Sequence, residues 1–158
     1  MNIEVFKSKA LKTGKDIKTD PITSEIIRNS LNSAAEQMKR ALVRSAFSPI
    51  IYEVLDFASA IYDKNFCMLS QSPSLPGFMG TLSFCVEEAV KEVGGEKNLF
   101  DGDIIIYNNP FGSGSHSQDA ALIKPVYNND YLIGYTAIKA HWLDTGGKEP
   151  YSTDTVDV

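Results

Sequence analysis

The chain has 158 residues, 43% of them hydrophobic and 22% charged, a balance that suits one globular domain with its own core. Its formal net charge of −5 argues against a nucleic-acid role, because a phosphate backbone recruits lysine and arginine. No apolar run approaches the ~20 residues that a membrane-spanning helix needs.

Residues 1–19 are polar and lysine-rich and lack the apolar stretch of a signal peptide, so they read as a flexible arm. Asp20-Pro21 is a helix start: Asp20 can cap free N–H groups and Pro21 suits the first helical position. Ile22, Ile26, Ile27, Leu31, Ala34, Ala35, Met38, Leu42 and Val43 then recur at helical spacing, which predicts a helix over 21–46. Ser48-Pro49 ends it. Residues 57–62 and 66–69 read as a hairpin around Asp63-Lys64-Asn65. A loop bearing proline and glycine spans 72–80, and a second helix spans 81–93 until Gly94-Gly95 stops it. Residues 104–107 are a continuous apolar strand, expected to be covered on both faces. A loop rich in Asn, Gly and Ser occupies 108–118. Strands at 120–127 and 131–140 flank the turn Asn128-Asn129-Asp130. The pattern is an α+β fold: a mixed, largely antiparallel sheet with two main helices.

Only two histidines occur, and each precedes an aspartate by three residues: His116-Ser117-Gln118-Asp119 and His141-Trp142-Leu143-Asp144. Gly112 and Gly114 lie before the first, Gly146 and Gly147 after the second. Imidazole and carboxylate together suit a divalent ion such as Zn²⁺ or Mn²⁺. In a straight strand, residues three apart point to opposite faces. His116 and Asp119 can therefore share an ion only if the chain turns between them. The plain alternative is an exposed histidine and an aspartate at a strand start. For the second pair it is a strand-end histidine on a carbonyl, with Asp144 capping a turn. The two pairs flank one hairpin, whose open end brings Asp119 beside His141. Asp56, among Val54, Leu55 and Phe57, is a further candidate, since an isolated carboxylate there is costly unless paired or metal-bound. A helix cap or a salt bridge to Arg44 is its alternative. Trp142 could wall a site, with core packing the favoured reading. No G-x-S-x-G elbow and no phosphate-binding GxxxxGK[ST] loop occurs. Cys67 and Cys85 form no CxxC pair or disulfide framework, which fits a reducing cytoplasm.

Several segments together resemble the hydantoinase B family, which also includes the C-terminal half of 5-oxoprolinase and subunits of acetone and acetophenone carboxylases. They are Asp20-Pro21-Ile22-Thr23 with Glu25-Ile26-Ile27-Arg28-Asn29, residues 44–49, residues 56–60, Asn109-Pro110-Phe111 with Gly114-Ser115-His116, residues 119–125, and 140–147. The resemblance spans residues 20–158. It implies that the chain is the N-terminal part of a larger subunit, in keeping with an end at Val158 that closes no element. It also implies a divalent metal held by Asp56, His116, Asp119 and His141, with His141 and Asp144 as catalytic candidates. The sequence departs from the family's pattern at three positions. Trp142 stands where many members have a second histidine, Phe78 stands in a loop where many carry one, and Asn109 stands where an aspartate is common.

The resemblance further implies a division of labour. An A-type subunit uses ATP to activate a small-molecule substrate, and the B-type subunit handles the activated intermediate at its metal, within a hetero-oligomer. The first functional expectation is a hydrolase of activated cyclic amides, like a hydantoinase or oxoprolinase. The alternatives are a subunit of an ATP-dependent ketone carboxylase, for which Phe78 and Trp142 offer an apolar pocket, and a non-catalytic scaffold subunit.

Overall fold

The Asp20 carboxylate accepts the Thr23 backbone N–H at 3.1 Å, and Pro21 occupies the first position of α1 (Pro21–Ser45). The computed structural model describes residues 20–146 and residue 150; the arm expected at 1–19 and the chain end at 151–158 lie outside these described residues. The periodicity of α1 is correct, but the expectation that its apolar positions seek a core is met only in part. Ala35 is its one fully buried residue, whereas Ile22, Ile26 and Ile27 are exposed. Pro49 both ends this run and opens a single-turn helix, α2 (Pro49–Tyr52).

Among the described residues, five strands form one sheet in the order β2-β1-β5-β4-β3, every pair antiparallel. They are β1 (Phe57–Asp63), β2 (Met68–Gln71), β3 (Ile105–Tyr107), β4 (Asp119–Asn128) and β5 (Tyr131–His141). The sheet is thus wholly antiparallel rather than mixed. β2 starts two residues later than its sequence suggests. The Asp63 carboxylate accepts both the Asn65 and Cys67 N–H groups at 2.8 Å, and Phe66 turns left-handed at φ 63°. The Phe66 ring leaves the ladder and stacks on Tyr135, 5.4 Å between centroids.

One face of the sheet packs on α3 (Pro76–Glu92). Phe78, Leu82, Cys85, Val86, Ala89 and Val90 meet Ala58, Ala60, Tyr62, Ala121, Ile123, Tyr135 and Ala137. The helix begins five residues before the expected Thr81. Pro76 sits in its first turn, and burial of Phe78 and Leu82 offsets the roughly 1 kcal/mol that each of Gly77 and Gly80 costs a helix. Gly94 and Gly95 end it, their N–H groups bonded to the Lys91 and Val90 carbonyls at 2.9 Å. α1 lies against the other face chiefly over β1 and β2, where Ser59 and Ala35 meet. This corrects the expectation for residues 104–107. β3 is an edge strand that only α3 packs against closely, so Ile105 and Tyr107 are buried while Ile104 and Ile106 are 58% and 66% exposed.

Two consequences are testable. A Cβ on Gly134 would run into the Tyr62 carbonyl oxygen of the neighbouring strand. Gly134→Ala is therefore expected to destabilise the fold by roughly 1–3 kcal/mol in urea unfolding; an unchanged midpoint would mean that β1 and β5 separate without strain. Burial also pushes Tyr62 and Tyr135 up to about 12 and the Cys85 thiol up to about 11. The folded state favours the protonated forms, so their contribution is full below the unfolded-state values and lost as pH rises through the folded ones. Stability measured by urea should fall between about pH 9 and 12, together with a late rise in tyrosinate absorbance.

Candidate metal centre

Alternation along β5 sets Tyr135, Ala137, Lys139 and His141 on the face that α3 covers. The β4–β5 register makes Asp119 the direct partner of His141. Their side chains meet, with His141 Nδ1 2.7 Å from Asp119 Oδ1. A carboxylate so placed fixes the orientation of a metal-binding imidazole.

The loop before β4 supplies the third group. Asn109 caps the single turn α4 (Pro110–Ser113) by accepting the Phe111 N–H at 3.1 Å, and Gly114 follows in the left-handed region at φ 68°. The chain then turns at residues 117–118, with the Asp119 N–H bonded to the His116 carbonyl at 3.1 Å. That is the turn which lets residues three apart converge. Asp119 Oδ2 accepts the His116 backbone N–H at 2.8 Å and lies 3.4 Å from His116 Nδ1. The two imidazoles stand edge to face, 6.0 Å between centroids. One ligand atom from each of His116, Asp119 and His141 lies within 4.8 Å of the others, a spacing compatible with a shared cation.

Asp119 and His141 are buried, whereas the His116 side chain is 65% exposed, so the cluster is open on one side. Burial alone would raise the Asp119 carboxyl. Hydrogen bonds from the His116 backbone, the His141 ring and Ser115 outweigh it and leave the group below its ordinary value. A cleft of about 430 Å³ reaches His116 and Asp119, walled by Leu75, Phe78 and Pro110. A larger concavity of about 540 Å³ lies by the β4–β5 turn and contains none of the candidate residues.

The remaining candidates lie outside that trio. Asp56 precedes β1, and its carbonyl accepts the His141 N–H at 3.1 Å. Its Oδ1 is buried without a hydrogen-bond partner, and among the described residues no ion pair joins it to Arg44. Burial raises its carboxyl, against the pull of His141. Asp144 is exposed and accepts the Gly146 N–H at 2.8 Å, the turn-capping alternative. Trp142 is 39% exposed rather than packed in the core, while its N–H donates to the Gln118 carbonyl.

Sequence reasoning missed Lys139. It is fully buried, its Nζ 2.9 Å from the Ser113 carbonyl, 3.4 Å from Thr81 Oγ1 and 5.2 Å from the centre of the Phe78 ring. Burial lowers its pKa. The signal was parity: a lysine two residues before His141 on an inward face cannot reach water.

Asp119→Ala removes the acceptor of both the His141 ring and the His116 N–H. It is expected to cost roughly 1–3 kcal/mol in denaturant unfolding with chelator present; a smaller loss would mean that the two donors find water instead.

The family model described as hydantoinase B/oxoprolinase matches residues 20–158. The chain is 33% identical over 150 residues to the B component of a putative D-/L-hydantoinase from a Pseudomonas species, covering 89% of this chain and 24% of that one. It is 30% identical over 155 residues to 5-oxoprolinase of Dictyostelium discoideum, covering 96% and 12%. The ATP-dependent caprolactamase of Pseudomonas jessenii superposes with a TM-score of 0.74 at 30% identity, covering 83% of this chain and 22% of that structure. The chain thus spans between 12% and 24% of the length of these relatives. No helix among the described residues is long and apolar enough to cross a membrane. With the family model matched over residues 20–158, the chain belongs to the hydantoinase B/oxoprolinase family.

Proposed function

We propose that this chain is the metal-bearing part of a B-type subunit that hydrolyses an activated cyclic amide in an ATP-dependent, oxoprolinase-like enzyme. The observation that carries the reading is the convergence of His116, Asp119 and His141 on one point beside a cleft. In this reading these three side chains are metal ligands and Asp56 is the fourth. The buried, partnerless Oδ1 of Asp56 supports that assignment, because a cation would offset the cost of leaving a carboxylate so placed. Two imidazoles and two carboxylates suit Zn²⁺ and Mn²⁺ alike. When bound, such an ion supplies Lewis acidity, which lowers the pKa of water and stabilises developing oxyanion charge.

The chain's own residues do the rest. Asp119 holds the His141 ring in place, and His116 stands on the exposed side where a substrate enters. Leu75, Phe78 and Pro110 offer an apolar wall for the methylenes of a small ring. His141 and Asp144 stay the catalytic candidates, Asp144 from the loop that follows β5. The sequence contains no phosphate-binding loop of the GxxxxGK[ST] kind. In this reading the use of ATP falls to an A-type partner subunit, which is supported by the relatives described as a hydantoinase B component and an ATP-dependent caprolactamase.

A second reading, a subunit of a ketone carboxylase, draws on the same apolar wall around Phe78. Labelled bicarbonate separates the two, since only a carboxylase fixes it in the presence of a ketone.

Metal analysis of the complex reconstituted with its A-type partner tests the first reading. The expected result is about one equivalent of a divalent transition metal per B-type chain. Chelation should abolish amide hydrolysis and added metal should restore it. Less than about a tenth of an equivalent in a folded, active complex would overturn the reading.

A further inference from the structure

Lys139 is the one fully buried lysine among the described residues. Its site is not made for a charge. Ala58 and Ala121 are its cross-strand partners, the Phe78 ring lies under it, the Ser113 carbonyl is its near hydrogen-bond acceptor with the Thr81 hydroxyl more distant, and the pull of Cys85 and Asp119 only partly offsets its burial. A methionine of similar length would fill the same space without the desolvation that an ammonium suffers. The ammonium also stands near a place that would hold a cation, where its charge repels the guest. What an apolar side chain at this place could not supply is a hydrogen-bond donor to a buried carbonyl.

The hydrogen bond at 2.9 Å to the Ser113 carbonyl identifies it. Ser113 is the last residue of α4 and is itself buried. Past it the chain has three residues in which to reach His116, the one member of the cluster that stands in the open. A four-residue helix has too few internal bonds to hold itself, and its C-terminal carbonyls have no partner within the helix. Lys139 therefore ties the end of α4 to β5, the strand that also carries His141. We infer that Lys139 is a positioning residue, whose ammonium pins the Ser113 carbonyl and so holds His116 at the distance from Asp119 and His141 that a shared metal ion requires. The inference rests on the metal reading above. The same tie bears on specificity, because α4 and Gly114 form one wall of the cleft and Phe78, under the ammonium, forms another.

The position of Gly114 offers an independent handle. Its φ of +68° strains any other residue, and a Cβ there would lie 3.2 Å from Thr81 Cγ2, beside the same anchor. Gly114→Ala thus displaces the loop while leaving Lys139 in place.

Charge and position make opposite predictions for Lys139→Met. If the ammonium acted on the ion by charge alone, its removal would tighten metal binding. If it holds the loop, removal weakens binding. Titration calorimetry with Mn²⁺ on the full chain should show Lys139→Met binding ~10-fold or more weakly, the size of effect typical of groups that orient ligands. Its melting temperature in chelator should be unchanged or higher, a combination that a merely structural role does not give. Gly114→Ala should weaken Mn²⁺ binding in the same direction. Unchanged or tighter binding by Lys139→Met overturns the inference. If that variant does not fold, unchanged binding by Gly114→Ala overturns it.

Hydrogen exchange in chelator provides the readout that needs no metal. Lys139→Met, or Gly114→Ala in its place, should speed exchange of the amides of residues 113–116 and leave those of β1 and β5 protected. Faster exchange there in a wild-type background that binds no Mn²⁺ or Zn²⁺ would sink the metal reading and keep the anchor. Unaltered exchange would sink the anchor whatever the metal does.

Discussion

Everything at the site depends on the register of one antiparallel pair. β4 begins at Asp119 and β5 ends at His141, and these two residues are Cα partners across the ladder. A slip of one residue in either strand would turn that strand's side chains to the opposite face of the sheet and part the carboxylate from the imidazole. The register is held from both ends. At the far end, Asn128 pairs with Tyr131 around a two-residue turn in which Asn129 takes a left-handed φ of 54°. On the inner face Ala121, Ile123, Tyr135 and Ala137 are all buried against α3, so an alternative pairing would expose them. The core that stabilises the sheet is thus the same device that aligns the carboxylate with the imidazole. The distance of 2.7 Å between them follows from the packing of apolar residues further along the same two strands.

The charges in this region are arranged around an unequal pair of carboxylates. Asp119 accepts two hydrogen bonds from the histidines, which hold its carboxyl low despite complete burial. Asp56 has a buried oxygen with no donor, and its carboxyl is held high. One acid is therefore supplied with donors by the protein, and the other is left short of them. Lys139 adds a positive charge that does not reach either carboxylate by hydrogen bond and is given instead to a backbone carbonyl. Among the described residues the division leaves both carboxylates without a lysine partner, where a lysine paired directly with either would have competed with a metal.

Much of this was legible in the sequence, for reasons that can be named. Two histidines at either end of a strand–turn–strand pattern must converge if the pattern pairs antiparallel, so Asp119 and His141 could be brought together from the pattern alone. Helix α1 announced itself through Asp20-Pro21 and a long apolar period, ending within a residue of the expected place. Its burial could not be read, because periodicity reports which side of a helix is apolar and not whether anything lies against it. The same limit explains β3. A run of Ile104, Ile105, Ile106 and Tyr107 looks like a strand covered on both faces, but the coverage of an edge depends on how far α1 extends across the sheet. Pro76, Gly77 and Gly80 suggested a loop by local preference, and tertiary burial of Phe78 and Leu82 overrode it. Lys139 was passed over since its significance is positional: only the parity of β5, applied as strictly to a lysine as to an alanine, marks it.

The single-turn helix α4 links these observations to chemistry. Asn109 holds its start by a side-chain cap, and Lys139 holds its end by a carbonyl bond. Between them the chain needs no large side chain of its own to stay in place, and the exposed Phe111 takes no part in the core. Such a segment presents His116 from a support fixed at two points rather than from a packed surface. Its backbone can approach the cleft closely because Gly112 and Gly114 leave room for Tyr107 and Thr81. The cluster is consequently held on one side by the β4–β5 ladder and on the other by the two anchors of α4. The strands thus fix Asp119 and His141, the anchored turn fixes His116, and the open side of His116 faces the cleft that Phe78 also lines.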